Sequence, residues 1–148
     1  MLYIDTSLLL PFLTVESVSL TVEQWFADQL VEDLGVSEWV VTETASVLSL
    51  KQRTGQLTAE GRQQADYVLS GLLDQVVTVL GVSRAAFRTA TRMCQRADLS
   101  LRGPDALHLA VATEQGAALC TRDIGQARAA RLLGLEARLV EAGISHER

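Results

Sequence analysis

Leu2-Tyr3-Ile4-Asp5-Thr6-Ser7 decides how the rest of the chain is read. Three apolar residues stop at a carboxylate, and the Asp-Thr-Ser that follows is a helix-start signal for the apolar run Leu8 to Leu13. A short buried strand passing straight into a helix is the building unit of α/β proteins. The same transition recurs downstream. Gly35 to Val41 reads as a strand entering a helix through Ser46, Val47 and Leu50, and Val76 to Val79 as a β-branched strand between turns. Ser83 caps a helix reaching about Asp98, and Gly103-Pro104 opens another with proline in its first turn. Ala117 to Thr121 reads as a strand, Ile124 to Leu133 as a helix stopping before Gly134, and Ala137 to Val140 as a last strand. Thr21 to Leu34, with Val22, Trp25, Phe26, Leu30 and Leu34 along one side, and Thr58 to Leu73 complete the helices. Strands alternating with helices predict an α/β fold: a three-layer α/β/α domain whose mainly parallel central sheet is covered on both faces.

The chain has 148 residues, 48% of them apolar, and no repeat or linker divides it. That length buries roughly two-thirds or more of the unfolded surface, so folding requires neither metal nor disulfide. One domain over residues 1–142 is expected, with a frayed polar tail at 143–148 that holds His146. Cys94 and Cys120 have no CxxC spacing and no Cys/His cluster around them, and read as small core hydrophobes in a reducing compartment. The first residues lack a basic region and no apolar run is long enough to span a bilayer, which predicts a cytoplasmic protein without a membrane segment. The net charge of −5 divides unevenly, −8 over residues 1–83 and +3 over residues 84–148. Overall acidity argues against a protein that simply coats nucleic acid, but not against an enzyme that grips it locally and brings a divalent cation to it.

Four acids occupy similar places. Asp5 follows the first strand, Asp123 stands two residues after the strand ending at Thr121, Asp105 lies just after Pro104 at a helix start, and Glu43 comes early in the helix after Val36. Singly, each aspartate is explained as a cap that binds free amides at the positive end of a helix, and Glu43 as a solvated helix residue. Jointly, carboxylates gathered at one sheet edge repel each other, and a divalent cation relieves that repulsion. Oxygen ligands without His or Cys suit Mg²⁺ or Mn²⁺, and such clusters hydrolyse phosphodiesters.

These residues resemble a known family. Leu2 to Ser7 is similar to the opening strand and Asp-Thr-Ser turn of PIN-domain ribonucleases, and Trp39-Val40-Val41-Thr42-Glu43-Thr44-Ala45-Ser46-Val47-Leu48 to their second motif. Arg102-Gly103-Pro104-Asp105-Ala106-Leu107-His108-Leu109-Ala110 resembles the third, and Leu119-Cys120-Thr121-Arg122-Asp123 the closing Thr-x-Asp. The order and spacing hold from Met1 to about Val140, and among such proteins the chain looks like the VapC-type toxin of a VapBC toxin–antitoxin pair. The resemblance implies a PIN-like fold and a Mg²⁺- or Mn²⁺-dependent endoribonuclease. Asp5 and Asp105 would be metal ligands, and Glu43 and Asp123 would complete the catalytic acidic pocket directly or through water. Thr6, Ser7 and Thr121 would be supporting hydroxyls. It further implies an RNA substrate, a cognate VapB-type antitoxin and a homodimer. Gly103-Pro104 before Asp105, and Arg122 inside the last motif, depart from the usual pattern.

Arg84, Arg88, Arg92 and Arg96 recur every fourth residue and read as one basic helical face, with Ala86, Phe87, Ala90, Met93, Cys94 and Ala97 centred on the opposite one. A solvated face is the simple reading; four like charges without an intervening acid favour contact with an RNA backbone or an acidic partner. His108, three residues after Asp105, reads as a packed or hydrogen-bonded helix residue. Trp25 and Trp39 could stack bases, though the spacing of Trp25 favours the core or a partner. Leu8 to Leu13 and the helix around Trp25-Phe26 offer surface for an antitoxin helix or a second copy. Other α/β enzymes with an Asp after the first strand fit poorly. A haloacid-dehalogenase-like phosphatase needs a second Asp where Ser7 stands, a phosphoacceptor receiver needs a late Lys but Lys51 is the sole lysine, and no Gly-rich phosphate loop is present. The rival from another class is a PIN-like module that binds RNA or protein with weak or no catalysis.

Overall fold

Tyr3 and Ile4 point to opposite faces of the sheet and both are sealed from solvent, so β1 (Leu2–Ile4) runs through the middle of the molecule. The computed structural model describes residues 1–141; the expectation of a frayed tail at 143–148 lies outside them. After β1 come α1 (Thr6–Leu13), α2 (Ser19–Ala27), β2 (Leu34–Ser37), α3 (Glu38–Arg53) and α4 (Ala59–Gln75). Then follow β3 (Thr78–Leu80), α5 (Arg84–Cys94), α6 (Gly103–Glu114), β4 (Ala118–Thr121), α7 (Ile124–Leu132) and β5 (Ala137–Leu139).

All four strand pairings are parallel, in the order β3-β2-β1-β4-β5. Leu2 stands opposite Leu34 on one side and Ala118 on the other. The chain steps one way from β1 to β3 and then returns past β1 to β4 and β5. Right-handed crossovers therefore put α1–α4 on one face and α5–α7 on the other, and the helices pack within these two groups. This is the expected three-layer, parallel architecture. The reversal falls between β1 and β4, and in open α/β sheets the crevice outside the strand ends at that point is where ligands bind. Asp5 and Thr121 sit there.

Leu8 and Leu9 of α1 are fully buried, worth roughly 1.5–3 kcal/mol each. Leu13 and Phe26 join the same core, and the rings of Phe12 and Phe26 lie 4.6 Å apart. The surface expected from Leu8–Leu13 and Trp25-Phe26 for a partner is thus mostly interior.

Some boundaries differ from the sequence reading. The helix expected over Thr21–Leu34 stops at Ala27: Leu34 is claimed by its pairing with Leu2, and Leu30 is exposed. β2 ends at Ser37, whose hydroxyl accepts from Val40 N at 3.2 Å and starts α3 there, so Glu38 to Val41 are helical. The strand expected at Val76–Val79 is Thr78–Leu80, because Val76 still closes α4. α5 ends at Cys94 and not near Asp98, and Cys94 is exposed while Cys120 is buried; both are free thiols. No helix among the described residues is long and apolar enough to cross a membrane.

Candidate functional site

The carboxyl end of β1 delivers Asp5 to the crevice, and Asp5 N donates to Cys120 O at 3.1 Å, tying the end of β1 to β4. Asp5 caps α1, its Oδ1 accepting from Leu8 N at 3.0 Å. Ser7 Oγ donates to Oδ1 at 2.8 Å, and Thr121 Oγ1, from the end of β4, donates to Oδ2 at 2.6 Å. The side chain is only 3% exposed. Burial pushes its carboxyl above the ordinary range, against the Thr121, Ser7 and Leu8 donors.

Asp123 enters as the cap of α7. Its Oδ1 accepts from Gln126 N at 2.9 Å, and its own amide donates to Thr121 Oγ1 at 2.9 Å, so one hydroxyl registers both Asp5 and Asp123. A Cβ on Gly125 would stand 3.2 Å from Asp123 Oδ1, closer than most such contacts, so glycine suits that capping turn. Asp105 lies in the first turn of α6, half-buried, with Arg102 Nε 3.6 Å from its Oδ2. Burial raises its carboxyl; Arg102 pulls it down, and Asp123 and Glu43 push it further up.

Glu43 belongs to the second turn of α3. Its Oε2 accepts from Thr6 Oγ1 and from His108 Nε2, the latter at 2.8 Å. Burial pushes this carboxyl up, but the His108 and Thr6 hydrogen bonds outweigh it and hold the group below its ordinary range.

Asp5, Glu43, Asp105 and Asp123 all line one cavity of about 200 Å³ together with Thr6, Ser7 and His108. Thr121 lies behind it, fully buried. The sequence reading thus named every acid of this cavity. It left His108 as a structural residue and passed over Tyr3 and Gln126. Tyr3 Oη lies 3.0 Å from His108 Nδ1, and Gln126 Nε2 donates to Asp105 O at 3.3 Å. The spacing of three from Asp105 puts His108 near the acids, but nothing local marks its partner Glu43, 65 residues away.

The donor set is all oxygen, with His108 Nε2 already engaged by Glu43. Glu43 Oε1 and Asp123 Oδ2 carry no hydrogen bond among the described residues. Among those residues no three His, Cys, Asp or Glu groups are arranged to hold a metal ion by themselves. Mg²⁺ retains several waters and takes only one or two carboxylates directly, so this set fits a hard cation held partly through water.

The arginine stripe lies elsewhere. Arg84, Arg88 and Arg92 are exposed on α5 and do not line the acidic cavity. Arg96 falls beyond the end of α5 and pairs with Asp98 at 2.7 Å, so it does not extend the helical face. Of the opposite face, Ala86, Ala90 and Met93 are buried, while Phe87 is 55% exposed. Phe87 and Cys94 line an apolar groove of about 410 Å³ with Trp39, Pro104 and Leu107.

The family model described as PIN domain matches residues 2–132. No curated protein matches the chain in sequence. Among solved structures, it is similar to VapC20 of Mycobacterium tuberculosis, a sarcin-ricin-loop-cleaving toxin: TM-score 0.70, 21% identity, 87% of this chain and 95% of that one covered. FitAcB of Neisseria gonorrhoeae gives TM-score 0.68 and 18% identity, with 93% and 96% covered. VapBC2 of Rickettsia felis, bound to a fragment of its promoter DNA, gives TM-score 0.65 and 15% identity, with 95% and 100% covered. At such identities the likeness is one of fold.

Proposed function

The chain belongs to the PIN-domain family, and on that premise we propose that it is a Mg²⁺- or Mn²⁺-dependent endoribonuclease, the toxin of a type II toxin–antitoxin pair. The observation that carries this reading is the meeting of Asp5, Glu43, Asp105 and Asp123, from four separate elements, in one cavity. Asp5 and Asp105 would hold the ion, with Glu43 and Asp123 ligating directly or through water. When bound, the cation supplies Lewis-acid polarisation of a phosphoryl oxygen and a more acidic bound water. The chain's own residues do the positioning. Ser7 and Thr121 fix the rotamer of Asp5, Thr6 and His108 fix Glu43, and Gln126 ties the backbone of Asp105 to α7.

Arg84, Arg88 and Arg92 would hold the RNA backbone, and Arg96 would contribute when released from Asp98. A VapB-type antitoxin as partner is supported by the toxin–antitoxin complexes of the same fold. A homodimer is supported by the open apolar groove around Phe87.

The test is cleavage of a structured RNA with Mg²⁺ or Mn²⁺ by wild type and Asp5→Asn. Cleavage lost in the variant supports the proposal; equal cleavage by both exposes a contaminating nuclease and sinks it. A second reading is a PIN-like RNA- or protein-binding module with weak or no catalysis, in which Asp5 and Asp123 serve as helix caps and Glu43 as the partner of His108. RNA binding without hydrolysis in either metal would select it. Co-expression with the neighbouring small open reading frame tests the antitoxin, and consistent separate elution would refute it.

A further inference from the structure

Beside the acidic cavity, five polar groups from five elements form one line of hydrogen bonds: Ser37, Tyr3, His108, Glu43 and Thr6. Ser37 Oγ lies 2.7 Å from Tyr3 Oη, Tyr3 Oη 3.0 Å from His108 Nδ1, and His108 Nε2 2.8 Å from Glu43 Oε2. Tyr3 and Ser37 are fully buried and His108 is 2% exposed, so water is excluded from most of the line.

The direction of the line follows from counting protons. An ionised carboxylate only accepts, so Nε2 carries hydrogen and donates to Glu43. Ser37 Oγ already accepts from Val40 N, and its own proton has no acceptor other than Tyr3 Oη among the described residues. Tyr3 must then donate onward to Nδ1. Every donor is satisfied in one arrangement, Ser37 to Tyr3 to His108 to Glu43. The reverse arrangement strands the Ser37 proton in the interior, which is costly.

We propose that Tyr3 and His108 are positioning residues that lock the imidazole as its Nε2–H tautomer and hold the Glu43 carboxylate in place, so that the cation affinity of the acidic cavity depends on a tyrosine hydroxyl in β1 that does not line it. Neither side chain touches the substrate in this role. The inference rests on the proposal that the cavity takes Mg²⁺ or Mn²⁺. Partners behind ligating side chains typically change metal affinity by about 10–100-fold when removed.

The experiment measures Mn²⁺ binding to the metal-free full chain by calorimetry, and RNA cleavage as a function of Mn²⁺, for wild type, Tyr3→Phe, His108→Leu and His108→Gln. Tyr3→Phe removes one oxygen and keeps the buried ring, so it stays informative if His108→Leu does not fold. His108→Leu should weaken Mn²⁺ binding by about 10–100-fold. His108→Gln, which can still donate to Glu43, should recover much of that loss, and Tyr3→Phe should fall between. Cleavage should move back toward wild type at high Mn²⁺ with KM for RNA unchanged, which a purely structural defect would not do. Side-chain ¹⁵N spectra should show the Nε2–H tautomer of His108 in wild type, and in Tyr3→Phe an Nδ1 resonance shifted by the loss of its hydrogen-bond donor. If wild type binds Mn²⁺ and folded Tyr3→Phe and His108→Leu bind it as tightly, or if the ring is the Nδ1–H tautomer, the positioning role is overturned while the nuclease reading stands. If wild type binds no Mn²⁺, both fall.

Discussion

Thr121→Val keeps the shape of a fully buried β4 residue and removes a single oxygen. That oxygen donates to Asp5 Oδ2 at 2.6 Å and accepts from Asp123 N at 2.9 Å. A hydrogen bond to a charged group contributes roughly 1.5–3 kcal/mol, and an amide left without its acceptor in a partly buried position costs about 1 kcal/mol. The new methyl returns about 0.8 kcal/mol. The metal-free variant should therefore lose about 2–3 kcal/mol at neutral pH. With a urea slope of about 1–3 kcal/mol per molar, the unfolding midpoint should drop by on the order of 1 M or more. The loss also has a predicted pH dependence. Burial raises the Asp5 carboxyl while the Thr121 hydroxyl opposes that rise, so removing the hydroxyl lifts the carboxyl further. The gap between the two proteins is complete above the folded-state titration of Asp5, where the anion needs its donor. It narrows as pH falls through that titration, because a protonated Asp5 no longer does. A midpoint within about 0.2 M of wild type (a few tenths of a kcal/mol at that slope), or a gap that widens toward acid, would refute the assignment of Thr121 as the anchor of both aspartates.

Asp5→Asn should be more stable than metal-free wild type at neutral pH. Raised folded carboxyls at Asp5 and Asp105 give stability that is present below the unfolded value and lost as pH rises through the folded one. The advantage of Asp5→Asn in thermal melts should accordingly grow as pH rises from the unfolded-state carboxyl value through the raised folded-state titration of Asp5, and vanish with Mn²⁺; an advantage independent of pH would count against the burial argument. Arg88→Glu with Arg92→Glu should weaken RNA binding and reduce the salt slope by about 1–2, at ~0.7 per phosphate contact on a single strand, with stability within about 0.5 kcal/mol of wild type. Unchanged affinity would return these residues to the solvent. If the proposed homodimer closes over the apolar groove, Phe87→Glu, which places a charge there, should give a monomer in sedimentation velocity where wild type gives a dimer; an unaltered dimer would locate the interface elsewhere, and a monomeric wild type would refute the dimer.

The parts of this molecule legible in its sequence are those whose signals are local. Asp5 and Asp123 were readable because each follows a strand and caps the next helix within three residues. Gly103-Pro104 announced α6, and Thr58 and Ser83 announced α4 and α5. What escaped depends on distant partners. The periodic pattern over Thr21–Leu34 suits a helix, yet Leu34 gains more as a parallel neighbour of Leu2. The four-residue spacing of the arginines continues past Cys94, but α5 does not, and Arg96 turns to Asp98. Cys94 sits on a mostly apolar helix face and still reaches solvent, because the elements beside it leave a groove that no periodicity encodes. His108 has an apolar neighbourhood in sequence, so only the meeting of α6 with α3 and β1 reveals that both its nitrogens are engaged.

The two explanations open for the aspartates, helix caps or catalytic acids, are not competitors in this fold. A cap requires one carboxylate oxygen, and Asp123 uses only Oδ1 for Gln126 N while Oδ2 carries no hydrogen bond among the described residues. Asp5 likewise gives Oδ1 to Leu8 N, and its Oδ2 is held by Thr121. Capping thus fixes the rotamer and the depth of each carboxylate through bonds that the helices need anyway, and the free amides at the helix start favour the negative charge there. Asp105, in a first turn but without a capping bond, relies on Arg102 instead. The arrangement explains how a small domain tolerates four acids around one cavity: two are held by helix starts, one by Arg102, and Glu43 by His108 and Thr6. Each acid thus has a compensating neighbour, and the electrostatic cost that remains, at Asp5 and Asp105 where burial outweighs those neighbours, is the part a bound cation would relieve.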